Sequence, residues 1–227
     1  MDLSDLIDRH AAFAPQKAAI RFQGRTLTYA TFAERIAAAA RALKSGLGIG
    51  RGDRVAMLST NHPDYLVLLY ACARLGAMLV PLNWRLAPPE QVFILSDASV
   101  KALVVEEGLA AVIAPLMEAL PDARVIGLDF APARCTSFEQ LLAAGSGDGR
   151  NATIDLSCPL LLVYTSGTTG RPKGAVLRQE ALVWNAAMSQ HMHGLDSRRS
   201  RAHRAAAAST SAGSISRPRP RCSSAPR

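Results

Sequence analysis

Residues 54–81 leave the chain little choice of topology. Residues 54–59 have the composition of a strand, Asn61-His62-Pro63-Asp64 opens a helix with proline near its first turn, and that helix runs to about Leu75 before Gly76 stops it. Residues 77–81 are a second strand. A strand, a helix and a strand in that order imply a right-handed crossover and a parallel pair. The alternation continues with a helix from Pro88-Pro89-Glu90 to Ser96, a strand at 100–105, a helix at 109–120, a strand at 124–128 and a short helix at 138–143. An α/β fold follows, with a mostly parallel sheet flanked by helices. Upstream, residues 26–29 lead from a strand end into a helix with Thr28 as N-cap, Phe32, Ile36, Ala40 and Leu43 on one face, and Gly46 as its stop.

Several broad function classes are excluded by composition. The net charge of +8 suggests a nucleic-acid or membrane partner, but residues 1–196 hold 18 Lys+Arg against 18 Asp+Glu. Eight arginines after Asp196 carry the whole excess, without aromatic residues to stack bases, so no specific nucleic acid is expected. Cys72, Cys135, Cys158 and Cys222 form no C-x-x-C pair, which points to reduced thiols in a cytoplasmic protein. Three aspartates lie within Met1–Asp8 ahead of any base, unlike a secretory leader. The stretch 65–84 approaches the length of a membrane span, but Arg74 at its centre, Gly76 and Pro81 favour a buried helix followed by a strand. Gly46, Gly48, Gly50 and Gly52 follow a helix and precede a strand, the reverse of a dinucleotide loop, and form a turn.

After a polar, glycine-rich linker at 145–157, residues 160–164 form an apolar run with almost no alternation, the pattern of a strand at the centre of a parallel sheet. It empties into Thr165-Ser166-Gly167-Thr168-Thr169-Gly170-Arg171-Pro172-Lys173-Gly174, then a short strand at 175–177 and a helix at 179–193. Hydroxyls donate to phosphate oxygens, glycines admit backbone N–H groups at close range, and a lysine adds mobile positive charge. The segment lacks the G-x-x-x-x-G-K-[ST] of P-loop NTPases, and it enters a strand rather than a helix N-terminus.

This segment resembles the phosphate-binding signature of the adenylate-forming superfamily, which includes acyl- and aryl-CoA synthetases, peptide-synthetase adenylation domains and beetle luciferases. Leu27-Thr28-Tyr29, Gly52-Asp53-Arg54-Val55-Ala56 and Pro81-Leu82-Asn83-Trp84-Arg85-Leu86 resemble further blocks of that family in order and spacing, the last tilting the likeness toward acyl-CoA synthetases. The resemblance implies activation of a carboxylic acid, with fatty acids the expected class, to an acyl-adenylate and then an acyl-CoA. It implies ATP, Mg2+ and CoA as cofactor and co-substrates. It also implies that Thr165, Ser166, Gly167, Thr168, Thr169, Gly170, Lys173 and Gly174 bind the ATP phosphates. An aryl- or amino-acid-activating enzyme, or a non-catalytic remnant, is the alternative.

The resemblance runs from residue 1 to about 195, as part of an N-terminal domain. The family's metal-binding glutamate, ribose-binding aspartate and catalytic lysine would follow this loop, and no matching blocks follow Leu195, so the chain itself is expected to be inactive. Residues 196–227 are rich in Arg, Ala, Ser and Pro with a single large apolar residue, Ile215, and are expected to be disordered. Permitted codons for Ser209 to Arg217 read in the neighbouring frame as Phe-His-Val-Gly-Gly-Leu-Asn-Ile-Gln, similar to the family's next F-H-x-x-G element. The expectation is a change of reading frame near Leu195.

Overall fold

The computed structural model describes residues 1–131, 135–165 and 171–193. Helix α1 (Asp5–Phe13) precedes a hairpin of β1 (Ala18–Phe22) and β2 (Arg25–Thr28); the strand end expected at 26–29 is β2, while α1 and β1 carry no clear signal in the sequence. Helix α2 (Tyr29–Leu47) starts where expected, with the Thr28 side chain accepting from the Thr31 N–H at 3.2 Å. It passes through Gly46 and ends at Gly48, which takes the left-handed conformation at φ 63°. Gly46 has a packing reason to be small, since a Cβ there would lie 3.2 Å from Leu141 Cδ1.

The expected crossover is present. Strand β3 (Arg54–Leu58), helix α3 (Asp64–Leu75) and strand β4 (Met78–Leu82) form a parallel unit in which Val55 pairs with Leu79 and Leu58 with Leu82. Beyond it come α4 (Pro88–Asp97), β5 (Ala102–Val105), α5 (Ile113–Ala119), β6 (Arg124–Gly127), β7 (Thr136–Ser137) and α6 (Phe138–Ala144). The helix expected at 109–120 divides into a tight 3-10 segment, Glu107–Val112, followed by α5. Pro115 explains the break: inside a continuous helix it would remove a hydrogen bond and crowd the preceding turn, whereas restarting at Ile113 places it in a first turn.

Strand order in the main sheet is β7-β6-β5-β3-β4-β8-β9, with β8 spanning Pro159–Thr165 and β9 spanning Lys173–Arg178. All pairings are parallel except the antiparallel β8–β9. The run at 160–164 is therefore not at the centre of a parallel sheet. It lies next to the edge; Leu160 and Tyr164 are buried, Leu161, Leu162 and Val163 half-buried, and β9 is exposed throughout. An apolar run reports how much a strand can bury, and not which neighbours it receives.

Both faces of the sheet are covered over β3 to β6. Val55, Met57, Leu79, Ala102 and Val104 point into one core with α2, α3 and α6, while Ala56, Leu58, Val80, Leu103 and Val105 point into a second with α4 and α5. Among the described residues no helix is long and apolar enough to cross a membrane. Arg74, within the apolar α3, is 5% exposed. Its guanidinium donates to Ser4 Oγ at 2.9 Å and to Asp8 Oδ1 at 2.6 Å, so the charge is satisfied by α1 and the turn before it. Arg150, from the glycine-rich linker, reaches the same cluster and pairs with Asp2, Asp5 and Asp8. The linker lies tight on α2: a Cβ at Gly145 would sit 2.7 Å from Ala42 N, and one at Gly149 2.8 Å from Arg41 N.

Burial alone would raise the Asp5 carboxyl, but the Asp2 N–H and the Arg150 guanidinium together hold it below its ordinary value. A carboxyl held low in the folded state stabilises above its unfolded pKa, near 4, and loses that contribution as pH falls through the folded value. The protection factors of the α1 amides should therefore fall between pH 7 and about pH 3 while those of β3 to β5 hold, and Arg150→Gln should lower them already at neutral pH. Equal protection of α1 at both pH values would show that the ion cluster does not hold it.

Candidate functional site

The expected phosphate loop leaves β8 and returns through β9, and the structure fixes its two ends. The last cross-strand pair of the hairpin is Thr165 opposite Lys173, preceded by Tyr164 opposite Gly174. Directly opposite residues of an antiparallel pair share a face. Thr165 and Lys173 thus stand together on one face, both exposed, and Tyr164 and Gly174 on the other. Ser166, Gly167, Thr168, Thr169 and Gly170 lie outside the described residues.

Packing of the Tyr164 side chain sets the hairpin mouth. Its ring is buried in the core beneath α4, and its hydroxyl donates to Asp97 Oδ2 at the end of that helix. Burial, the hydrogen bond to Asp97 and the charge on Asp97 all push the phenol up, so it stays a neutral donor. Gly174 is where the ring crosses β9: a Cβ there would lie 2.8 Å from Leu162 Cδ1 and 3.2 Å from Tyr164 Cζ. Sequence reasoning had placed Gly174 in the phosphate loop; the structure supplies a separate, packing reason for its lack of side chain.

Helix α7 (Gln179–His193) is anchored at its first residue. Gln179 is fully buried, donating from Nε2 to Ala73 O at 3.1 Å and accepting from the Leu3 N–H at 2.7 Å through Oε1. One side chain thus ties the segment after the hairpin to α3 and to the N-terminus. Nothing in the sequence around Gln179 signals this, because its partners are backbone groups 106 and 176 residues away.

Other polar residues find structural employment. His62 Nδ1 accepts from the Asp64 N–H at 3.2 Å, and its Nε2 lies 3.3 Å from Asp129 Oδ1. Glu106 accepts from the Thr60 hydroxyl at 3.0 Å, joining the ends of β3 and β5, while Glu107 opens the 3-10 segment. Burial pushes the Cys72 thiol up to about 12, which removes it as a nucleophile. Among the described residues no three His, Cys, Asp or Glu side chains stand close enough to hold a metal ion. Arg85, by contrast, stands over the Trp84 ring at 4.4 Å and is exposed.

The packing at Gly174 has a direct consequence. Gly174→Val should displace the Leu162 side chain, crowd the Tyr164 ring and lower the thermal midpoint by several degrees, as overpacking costs about 1–3 kcal/mol. Near-ultraviolet circular dichroism and thermal melts report both effects, and an unchanged tyrosine environment in the variant would refute the packing role.

Comparison with known proteins places this arrangement. The family model for AMP-binding enzymes matches residues 7–210. An indoleacetate–CoA ligase of Aromatoleum aromaticum is 46% identical over 197 residues, covering 86% of this chain and 38% of that protein. A feruloyl-CoA synthase of an Amycolatopsis species is 39% identical over 177 residues, covering 78% and 33% respectively. The inhibitor-bound N-terminal domain of FACL13 from Mycobacterium tuberculosis superposes with a TM-score of 0.70 at 31% identity, covering 80% of this chain and 45% of that one. The chain thus spans little more than a third of the length of the two curated relatives. A parallel sheet with helices on both faces, a hairpin closed by Thr165 and Lys173, and a family match over most of its residues lead to one assignment: the chain belongs to the AMP-binding enzyme family.

Proposed function

We propose that residues 1–195 are the part of an AMP-forming acyl-CoA ligase that holds the phosphates of ATP, and that residues 196–227 take no part in the chemistry. In the reaction, a carboxylate oxygen attacks the α-phosphorus of ATP and the bond to the β-phosphate oxygen breaks, giving acyl-adenylate and pyrophosphate. The CoA thiol, losing its proton, then attacks the acyl carbon and AMP leaves. The observation that carries the reading is the Thr165–Lys173 pair at the mouth of the hairpin, exposed and joined by no ion pair or hydrogen bond to other described side chains.

Charge accumulates on the β,γ-pyrophosphate as the bond to the α-phosphate breaks, and donors already in place stabilise it without reorganising. Thr165 would donate its hydroxyl and Lys173 its ammonium, with Ser166, Gly167, Thr168, Thr169, Gly170 and Gly174 assigned to the same loop. Mg2+ would accompany ATP on its phosphates, and the metal-binding glutamate that the family resemblance implies is not among residues 1–195. The acid is an organic carboxylate. The names of the two curated relatives favour an aryl-bearing acid over the fatty acid first expected, and indoleacetate is the first to test.

Two outcomes are expected. The 227-residue chain should bind ATP weakly and show no carboxylate-dependent pyrophosphate exchange; exchange above background that Lys173→Ala abolishes would overturn this. Residues 1–193, grafted in place of the matching part of the Aromatoleum relative, should support thioester formation. In that chimera Lys173→Ala should slow adenylation by about 10²–10³-fold and leave transfer from a supplied acyl-adenylate to CoA within a few fold. Equal loss in both half-reactions would remove the loop from the first step.

A further inference from the structure

Helix α7 carries a set of soft donors that the ATP chemistry does not use. Beyond its buried first residue, Gln179, the helix stands largely in solvent, and Trp184, Met188, His191 and Met192 are all exposed. Helical spacing turns these four into neighbours. Trp184 lies four residues before Met188, His191 three after it and Met192 four after it. Residues so spaced share one face, with about 5–6 Å between their Cβ atoms. The same three- and four-residue spacings let a single helix present two ligands to one metal ion.

The donors decide which ion. Two thioether sulfurs and an imidazole nitrogen are polarizable, and the thioethers carry no charge, a set that suits a soft monovalent ion such as copper(I). Hard dications want several oxygen ligands, and the one carboxylate of α7, Glu180, sits at the far end of the helix paired with Arg178 at 3.4 Å. The His191 ring has no hydrogen-bond or ion-pair partner among the described residues, so nothing there competes for its nitrogens. Trp184, one turn before Met188, adds a π face that attracts a cation. Core packing does not account for the methionines: Met57 is fully buried, whereas Met188 and Met192 are mostly exposed. An apolar contact surface would use Trp184 and both methionines, but it has no need of an imidazole between them.

We propose that Met188, His191 and Met192 form a binding site for a soft monovalent metal ion, copper(I) by its chemistry, with the Trp184 ring beside it. The ligands come from α7 alone, so the site stands or falls separately from the ATP-binding reading.

Trp184 provides the readout. In the full chain carrying Trp84→Phe, Cys135→Ser and Cys222→Ser, Trp184 is the sole indole, and the buried Cys72 and Cys158 are the only thiols left. Silver(I) in chloride-free buffer serves as the probe, at a chain concentration where light scattering shows a monomer. It should quench Trp184 emission saturably at one equivalent. Copper(I) held reduced by ascorbate should compete for the same site, and Zn2+ and Mg2+ should not. Met188→Leu and His191→Asn should each weaken silver binding at least about tenfold, since even the outer partners of a metal are worth about 10–100-fold. Trp184→Phe, followed by equilibrium dialysis, should cost only a few fold. All three positions are exposed, so circular dichroism should not change in the variants. Methionine methyl NMR gives a second reading: silver should move the Met188 and Met192 signals and leave that of Met57 in place.

Quenching that never saturates, or that persists undiminished in Met188→Leu, would show adventitious contact with scattered donors and overturn the site. So would methyl shifts spread over the other methionines. If α7 takes no silver but drives a self-association that Trp184→Glu abolishes, the stripe is a protein contact and the metal site is overturned.

Discussion

Everything in this structure depends on a sheet that is apolar on both faces. Strands β3, β4 and β5 alternate their side chains between two separate cores, so neither face can be left to water. Covering each face demands helices between successive strands, and helical crossovers make the strands parallel. Parallel strands in turn gather their carboxyl ends on one edge. The position of the site follows: the turn after β4 and the mouth of the β8–β9 hairpin share that edge because the core requires it.

Charged groups decide how the outer layer sits on this core. Asp64 is nearly buried at the start of α3 and pairs with Arg35 of α2, which also reaches Glu139 of α6, so one guanidinium joins three helices. Arg74 and Arg150 do the same for the N-terminal segment, meeting Asp2, Asp5 and Asp8. Pairs of this kind add modestly to stability when intact, but removing the partner of Asp64 or Arg74 leaves a nearly buried charge at a cost of several kcal/mol. Their role is to select one arrangement of helices, much as Gln179 selects the position of α7 through backbone groups of Leu3 and Ala73.

The order of strands and helices from Arg54 onward was legible because each element carries its own periodicity and its own stop, as Gly76 does for α3. The sequence also marks the ends of the loop proposed to hold phosphate, Thr165 and Lys173, which stand opposite each other as β8 leaves and β9 returns. What could not be read depends on partners distant in sequence. Helix α1 is short, and its polar side is held by Arg74 and Arg150. The edge position of β8 depends on β9 pairing antiparallel, which an apolar run does not encode. At Gly174 the sequence suggests a ligand residue but does not show that Leu162 and the Tyr164 ring crowd the same position.

Strand β9 is the outermost strand described on its side of the sheet, and all six of its residues are exposed. The following helix shows Trp184, Met188 and Met192 at 68%, 63% and 77% exposure, spaced so that they line one stripe. A bare strand beside an apolar stripe is a template, and two copies of the chain can each complete the other. Encounter of copies is second order in concentration, so halving the concentration quarters its rate while unimolecular folding keeps its pace. Any pairing of copies through this edge would therefore depend on how much of the chain is present, and dilution is the variable that separates it from folding.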